Sequence, residues 1–478
     1  MSHPTYISPK LFVAGEWIAN TGRSRPILNP ATGLEIGQVP MATPELVSRA
    51  LAAAEAGFIL WRKTPLAERS AIMKRAAAEL RGMMAEAVAH LVMDMGKPLA
   101  EAKSELENCA ILLEWCPDAA ADVVDRVLPS RNGFRDLRVR YEPIGPVLAI
   151  APWNFPASLA GRKMASALAV GCSVIVRPAT DTPAGFGFIA RALDQAGLPK
   201  GVLQVIYGDP ETTVYPLLDS PVIRKLAFTG STEVGCLLAS RAAAKGKPSV
   251  MELGGHAPVI VTGDADIERA VSLSVTSKFR NSGQVCVSPT RYFVHEDVAD
   301  AFTRGFVEGA KALRVGDGLD PDTQMGPLAN ARRVDAIDAL IRDAEEHGAT
   351  LETGGAKLNK PGFFYAPTVL TNVPDAARVM QEEPFGPLAI INRYSDLDAA
   401  LARANNTPYA LGAYAFTGND ATAEKLAVEM DAGMVGINSY SIVVTDSPLG
   451  GRRMSGFGSE GGPEGIAAYL IPKFSTLA

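Results

Sequence analysis

Apolar and polar positions change rhythm several times along the chain. Leu11–Trp17 reads as a short strand-like opening. At Thr64-Pro65 a helix start is predicted, with the hydroxyl as cap and the proline at the first helical position. Alanine-rich segments with apolar residues at i and i+4 follow to Cys116, broken at Gly96-Lys97-Pro98. Leu137, Val139 and Tyr141 then alternate with Arg138, Arg140 and Glu142. That is the period of a half-buried strand with one wet face, suited to an edge or an arm. From Val147 onward, short apolar runs predict strands at Val147–Ala151, Ser173–Val176, Val202–Tyr207, Lys225–Phe228 and Ala257–Val261. Helical pieces such as Ala184–Ala196 separate them. The alternation predicts an α/β fold, a parallel sheet covered by helices, with ligands at the carboxyl ends of the strands. Polar or glycine-rich turns, Pro152–Pro156, Arg177–Pro183 and Thr229–Gly235, fall at those ends. A second α/β stretch runs from about Leu253 to Ala432, and the tail carries a last apolar step, Tyr469-Leu470-Ile471.

A length of 478 residues suggests two or three domains, and 47% hydrophobic residues are ample for their cores. The net charge of −6 argues against nucleic-acid or anionic-membrane partners, which need a basic surface. Met1–Lys10 has no apolar leader core, and the charge-free runs Met164–Val176 and Pro143–Gly161 are too short or too broken to span a bilayer. Five cysteines, Cys109, Cys116, Cys172, Cys236 and Cys286, form no disulfide framework and no metal-ligand spacing. A reduced, cytoplasmic protein without a metal is expected.

Four local strings can carry chemistry. Cys286 follows the small, flexible run Asn281-Ser282-Gly283-Gln284-Val285. It is either a thiolate nucleophile on a loop or a small buried hydrophobe. Glu252 directly precedes Leu253-Gly254-Gly255. A carboxylate there is either a general base with a raised pKa or a solvated or ion-paired side chain. Asn154, in Pro152-Trp153-Asn154-Phe155-Pro156, offers a neutral amide donor for a developing oxyanion, or simply forms a turn between prolines. Phe228–Gly235 runs from strand through a glycine turn into a helix whose first amides can receive a pyrophosphate. Its spacing is not Gly-x-Gly-x-x-Gly, so alone it equally fits an ordinary strand–helix turn.

Together these strings are more specific. The chain resembles the NAD(P)-dependent aldehyde dehydrogenase superfamily over essentially its full length. The resemblance rests on Pro152–Pro156, Phe228–Gly235, Glu252–Gly255, Gly283–Cys286, Glu383-Pro384-Phe385-Gly386-Pro387, and Pro448-Leu449-Gly450-Gly451 with Ser455-Gly456. It implies a Rossmann-type cofactor domain (residues 1–125 and 144–251) and an α/β catalytic domain (252–432, with 433–460 returning to the seam). It also implies a β oligomerisation arm (126–143 and 461–478) in a homodimer or homotetramer. The arm would pair its alternating strand with the tail near Tyr469–Lys473 across subunits. By the same resemblance Cys286 attacks the aldehyde, and Asn154 with the Cys286 backbone N–H forms the oxyanion hole. Hydride then leaves for the nicotinamide, and Glu252 activates water to hydrolyse the thioester. Trp153, Thr229, Gly230, Ser231, Glu383 and Phe385 would contact NAD or NADP.

Departures from the family pattern sharpen the expectation. Relatives mostly have Lys-Pro-[Ser/Ala]-Glu where this chain has Arg177-Pro178-Ala179-Thr180. Thr180 removes a carboxylate that would repel a 2′-phosphate, and Arg177 offers a fork suited to one. NADP is therefore expected to be at least tolerated, although an arginine merely replacing lysine would leave NAD in use. Leu449 and Arg453 replace the usual Phe and Lys. Arg162 and Arg280 resemble the pattern of succinate semialdehyde dehydrogenases and would clamp a distal carboxylate, unless one or both are structural. Phe155 would flank the aldehyde channel. The loop Ser441–Thr445 looks apolar where those enzymes add a hydroxyl, so a longer or apolar aldehyde is the alternative. Ser288 takes the place of a second cysteine, so no local redox switch is expected. A CoA-acylating or a non-enzymatic structural relative is disfavoured by Glu252 and by the intact Asn154, Glu252 and Cys286.

Overall fold

The computed structural model describes residues 5–130, 133 and 136–477. Mostly apolar runs become strands buried over nearly their whole length. Val147–Ile150, Val174–Arg177, Leu203–Val205, Lys225–Thr229 and Ser249–Glu252 form the parallel centre of an eight-stranded sheet. The hairpin Leu11–Val13 with Glu16–Ile18 extends one edge antiparallel, and Gly456–Phe457 closes the other. The chain runs outward from Val147–Ile150 in one direction to Leu203–Val205, and in the other through Lys225–Thr229 to Ser249–Glu252. The crevice at that reversal is where ligands of open α/β sheets settle. A second, seven-stranded sheet has Ala257–Val261 near its centre, beside Pro289–His295 and Gly412–Phe416, and ends on Met434–Ile437.

Local signals set most helix starts. Thr43 caps Pro44–Trp61, Asp266 caps Ile267–Phe279 and Asn330 caps Ala331–Glu346, each side chain accepting an amide of the first turn. Thr64 does not do this. The helix runs Leu66–Gly82 with Pro65 in the cap position, and the Thr64 hydroxyl donates to the Leu60 carbonyl of the preceding helix at 3.3 Å. The break at Gly96 is real, because only a left-handed residue (φ 90°) ends Met84–Met95 there.

The alternating segment is the strand Asp136–Pro143. It pairs antiparallel with Leu470–Leu477 of its own chain, in register from Leu470↔Pro143 to Leu477↔Asp136. This corrects the expectation of pairing across subunits. The Ile144 amide donates to the Tyr469 carbonyl at 3.0 Å, which holds the two segments side by side before the strand begins. Among the described residues, no helix is long and apolar enough to cross a membrane.

Candidate active site

The sheets meet where the Pro152–Pro156 turn, the end of Ser249–Glu252 and the loop after Ile267–Phe279 converge. Asn154 is buried. Its Nδ2 donates to the Gln284 carbonyl at 3.1 Å, tying it to the loop that carries Cys286. Its own carbonyl accepts from Lys97 Nζ at 2.8 Å and Asn281 Nδ2 at 3.0 Å. Lys97 is buried and ion-paired with buried Glu105 at 2.5 Å. Glu105 in turn accepts the amides of Ala157 and Ser158 at the start of the helix Ser158–Val170. Neither Lys97 nor Glu105 stood out in the sequence, because a lysine after a helix-ending glycine normally reads as a solvated charge.

The nucleophile loop is strained into place. Asn281, Ser282 and Gly283 all have positive φ (48°, 56° and 72°). Side chains compensate for the strain. Glu101 accepts the Asn281 amide at 2.9 Å, Ser282 donates to the Gly326 carbonyl at 2.8 Å, and Gln284 Oε1 accepts the Ala329 amide at 2.9 Å. Gly255 is needed opposite, since a Cβ there would lie 2.1 Å from the Cys286 carbonyl oxygen. Cys286 itself is half-buried. Burial first, then the charges of Glu383 and Glu252, push its thiol up to about 12, so the resting thiol is protonated at neutral pH. Ser288 accepts from the buried Lys278 Nζ at 3.1 Å.

Glu252 is buried and both carboxylate oxygens lack a hydrogen-bond partner. Burial and the nearby Glu460 hold its pKa well above the carboxylate range, against the pull of Lys163 and Arg162. Lys163 and Glu460 are both buried and form an ion pair at 2.6 Å, and Lys163 also meets Thr229 Oγ1. This pair is a second feature that sequence reading missed, because its members stand nearly 300 residues apart.

The remaining expected positions line the same crevice. Glu383 accepts the Gly255 amide at 3.0 Å, and burial lifts its pKa to about 7. Phe385 stands edge-on to Trp153, with ring centroids 5.5 Å apart, which joins the Glu383 string to the first sheet. Ser231 caps the helix Thr232–Ala243 without using its side chain. A Cβ at Gly230 would sit 2.5 Å from the tip of the Phe228 ring, which would have to move to admit it. The Arg177 Nη2 donates to the Gly208 carbonyl at 3.1 Å, while its Nε is buried without a partner; Thr180 is buried close by in sequence. A helix N-terminus without a side-chain cap, the buried Glu383 carboxylate and an unpartnered guanidinium nitrogen suit a dinucleotide.

The two expected substrate arginines differ. Arg162 is buried in the helix Ser158–Val170, with an unpartnered Nη1 against Gly461. Arg280 is exposed, with its guanidinium carbon 5.1 Å from the Phe155 ring centroid. Neither forms a salt bridge to a described residue. Beside Cys286, Ile442 joins Leu411, Met434 and Leu449 in an apolar cluster. The replacement at 453 has an account too. Arg453 donates to the carbonyls of Asn405 at 3.1 Å and Thr407 at 3.0 Å and pairs with Asp431.

Residues 17–474 match the model of the aldehyde dehydrogenase family. The chain belongs to that family. Its members are oxidoreductases that act on aldehydes with NAD(P). It is 42% identical to a putative 4-(hydroxymethyl)benzenesulfonate dehydrogenase of Comamonas testosteroni, covering 99% of both chains. It is 37% identical to an NADP-dependent succinate-semialdehyde dehydrogenase of Escherichia coli, over 97% of each. A succinate-semialdehyde dehydrogenase structure from Burkholderia pseudomallei superimposes with a TM-score of 0.96 at 39% identity, over 98% of each chain.

Proposed function

We propose that this enzyme oxidises an aldehyde bearing a distal anion to the carboxylic acid, with NADP accepted at least as well as NAD. The observation that carries the mechanism is the unpartnered, buried Glu252 carboxylate, whose charge reaches the Cys286 thiol, beside a loop that Asn154 ties down through the Gln284 carbonyl. Glu252 takes the thiol proton, and the Cys286 sulfur adds to the aldehyde carbon. The carbonyl oxygen becomes an oxyanion held by Asn154 Nδ2 and the Cys286 backbone N–H. Bound NAD(P) supplies the acceptor for the aldehydic hydride. Glu252 then takes a proton from water; the hydroxide adds to the thioester carbonyl, the C–S bond breaks, and acid leaves. The Glu460–Lys163 pair sets the electrostatics of the base: Glu460 disfavours the Glu252 carboxylate and Lys163 favours it. Trp153, Thr229, Gly230, Glu383 and Phe385 hold the nicotinamide end of the cofactor, Ser231 approaches its pyrophosphate, and Arg177 and Thr180 take its adenosine end.

Arg162 supports the anionic substrate, because a buried guanidinium nitrogen without a partner is costly unless a ligand completes it. Arg280 would meet the same anion over Phe155. Succinate semialdehyde is the simplest candidate. A sulfonated aromatic aldehyde is the second reading, favoured by the apolar cluster around Ile442 and by the benzenesulfonate-named relative. Two further readings concern the whole molecule. Five unpaired cysteines fit a cytoplasmic setting. Exposed Val234 and Leu237 on one helix, and Ile471, Phe474 and Leu477 on the tail strand, fit a homo-oligomer, with domains divided as the sequence suggests. The test is reduced-cofactor formation with succinate semialdehyde, glutarate semialdehyde, 4-formylbenzenesulfonate and benzaldehyde, with each cofactor. Anionic aldehydes should be preferred, and R162A should abolish that preference. Equal turnover of benzaldehyde would refute the clamp.

A further inference from the structure

The first sheet has a second polar cluster at its carboxyl edge, away from the thiol. Strands Val174–Arg177 and Leu203–Val205 end side by side there, and the Arg177–Gly208 hydrogen bond joins their turns. In the turn after Gly208, the Thr212 hydroxyl is buried without a partner, as is Arg177 Nε. Asp209 follows Gly208 directly, and its charge reaches Arg177. Its carboxylate is held by Arg23 at 3.2 Å and Arg25 at 2.5 Å. Arg25 lies on the hairpin of Ser24–Leu28 with Glu35–Pro40, a part of the chain with no role in the site described above.

The direction of the cofactor follows from the sheet. Glu252, at the end of Ser249–Glu252 beside Lys225–Thr229, marks the redox end, with Cys286 near it on the loop that leads into the second sheet. A dinucleotide crossing the reversal point must lay its adenosine toward the ends of Val174–Arg177 and Leu203–Val205. Three guanidinium groups gather there against the carboxylates of Asp209 and Asp181, which leaves one net positive charge. Arg23 and Arg25 each use a single nitrogen on Asp209, so the remaining nitrogens of each fork have no hydrogen-bond partner among the described residues.

We propose that the hairpin arginines, Arg25 with Arg23 beside it, form the outer half of a binding site for the 2′-phosphate of NADP, with Arg177 as the inner half. Asp209 keeps the two hairpin guanidinium groups in place, and its own charge is masked by them. A phosphate then bridges guanidinium groups from two segments of the chain, and NAD, with a neutral 2′-hydroxyl, gains nothing from the hairpin. This rests on the reading of Arg177 given above, and it adds residues of the hairpin to that reading.

The test is calorimetric titration of the full chain, without aldehyde, using adenosine 2′,5′-bisphosphate and AMP as probes. R23A/R25A should weaken the bisphosphate by about tenfold or more, the size of one charge-assisted hydrogen bond, and leave AMP unchanged. R25K should recover part of the loss. Equal weakening of both probes would show the arginines to be only a structural staple and overturn the proposal, as would no change in either. R177A, run alongside, separates the two readings. If it lowers the bisphosphate-to-AMP ratio while R23A/R25A does not, Arg177 keeps its role and the hairpin loses it. Failure of AMP to bind the unaltered chain would overturn the placement of the adenosine end and the proposal with it. Arg23 and Arg25 are more than half exposed, so their removal should leave the melting temperature unchanged.

Discussion

Lys97 should prove to be the buried support of the oxyanion donor, and K97M tests this. The side chain is buried, with its Nζ shared among Glu105, the Asn154 carbonyl and the face of Phe155, 3.9 Å from the ring centroid. Removing it leaves the Glu105 carboxylate buried with two amides and no counter-charge. Breaking a buried pair in this way costs about 3–5 kcal/mol. With about 2.1 cal/mol/K of unfolding entropy per residue, the chain has about 1 kcal/mol/K, so the melting temperature should fall by about 3–5 °C. The Asn154 main chain also loses one of its two anchors, and a donor displaced by a fraction of an ångström should lower kcat by about a hundredfold. KM should change little, because the loss falls on the transition state. The assay is a thermal melt of the purified protein with steady-state kinetics on the best aldehyde. K97M/E105Q removes both charges and should regain part of the stability but not of kcat. A K97M protein that melts within about 1 °C of the parent and turns over normally would refute this reasoning.

Three further outcomes follow from the electrostatics. The pKa of Glu252 is raised, so its base form appears only as pH climbs past the usual carboxylate range, and kcat should rise along that limb. E460Q removes the largest Coulombic contribution to the rise and should shift the limb to lower pH, read from a pH–kcat profile; an unmoved limb would contradict the coupling. Glu383 is the first charge opposing the Cys286 thiolate, so E383Q should speed iodoacetamide labelling of Cys286 at pH 8, followed by peptide mass spectrometry to separate it from the exposed Cys236. N281A loses the amide donated to the Asn154 carbonyl and places an alanine at φ 48°, so kcat should fall at least about tenfold with the cofactor affinity unchanged.

The parallel strands were legible because a strand buried on both faces is an unbroken apolar run, and polar turns mark its ends. Their limits shifted by a residue where a polar end joins the ladder, as at Arg177 in Val174–Arg177. The arm strand was legible from its alternation, but its partner was not: which copy of the tail completes a strand is a matter of distance in space. Asn154, Glu252 and Cys286 each stand in a distinctive local string, so the resemblance could single them out. Lys97, Glu105, Lys163 and Glu460 carry no local signal. Their roles arise from pairing across the fold, and a lysine or glutamate string reads the same whether it is solvated or buried. The left-handed turn at Asn281 and Ser282 was equally hidden, since its strain is held by Glu101, Gly326 and Ala329 from elsewhere in the chain.

The central claim is covalent capture on Cys286 followed by release through Glu252. It is tested most directly by intact-protein and peptide mass spectrometry of E252Q mixed with NADP and the best anionic aldehyde. The account expects one acyl group per chain, located on Cys286, with reduced cofactor formed in a single stoichiometric burst. An E252Q enzyme that turns over at the parent rate, or an adduct found on any other residue, would contradict it.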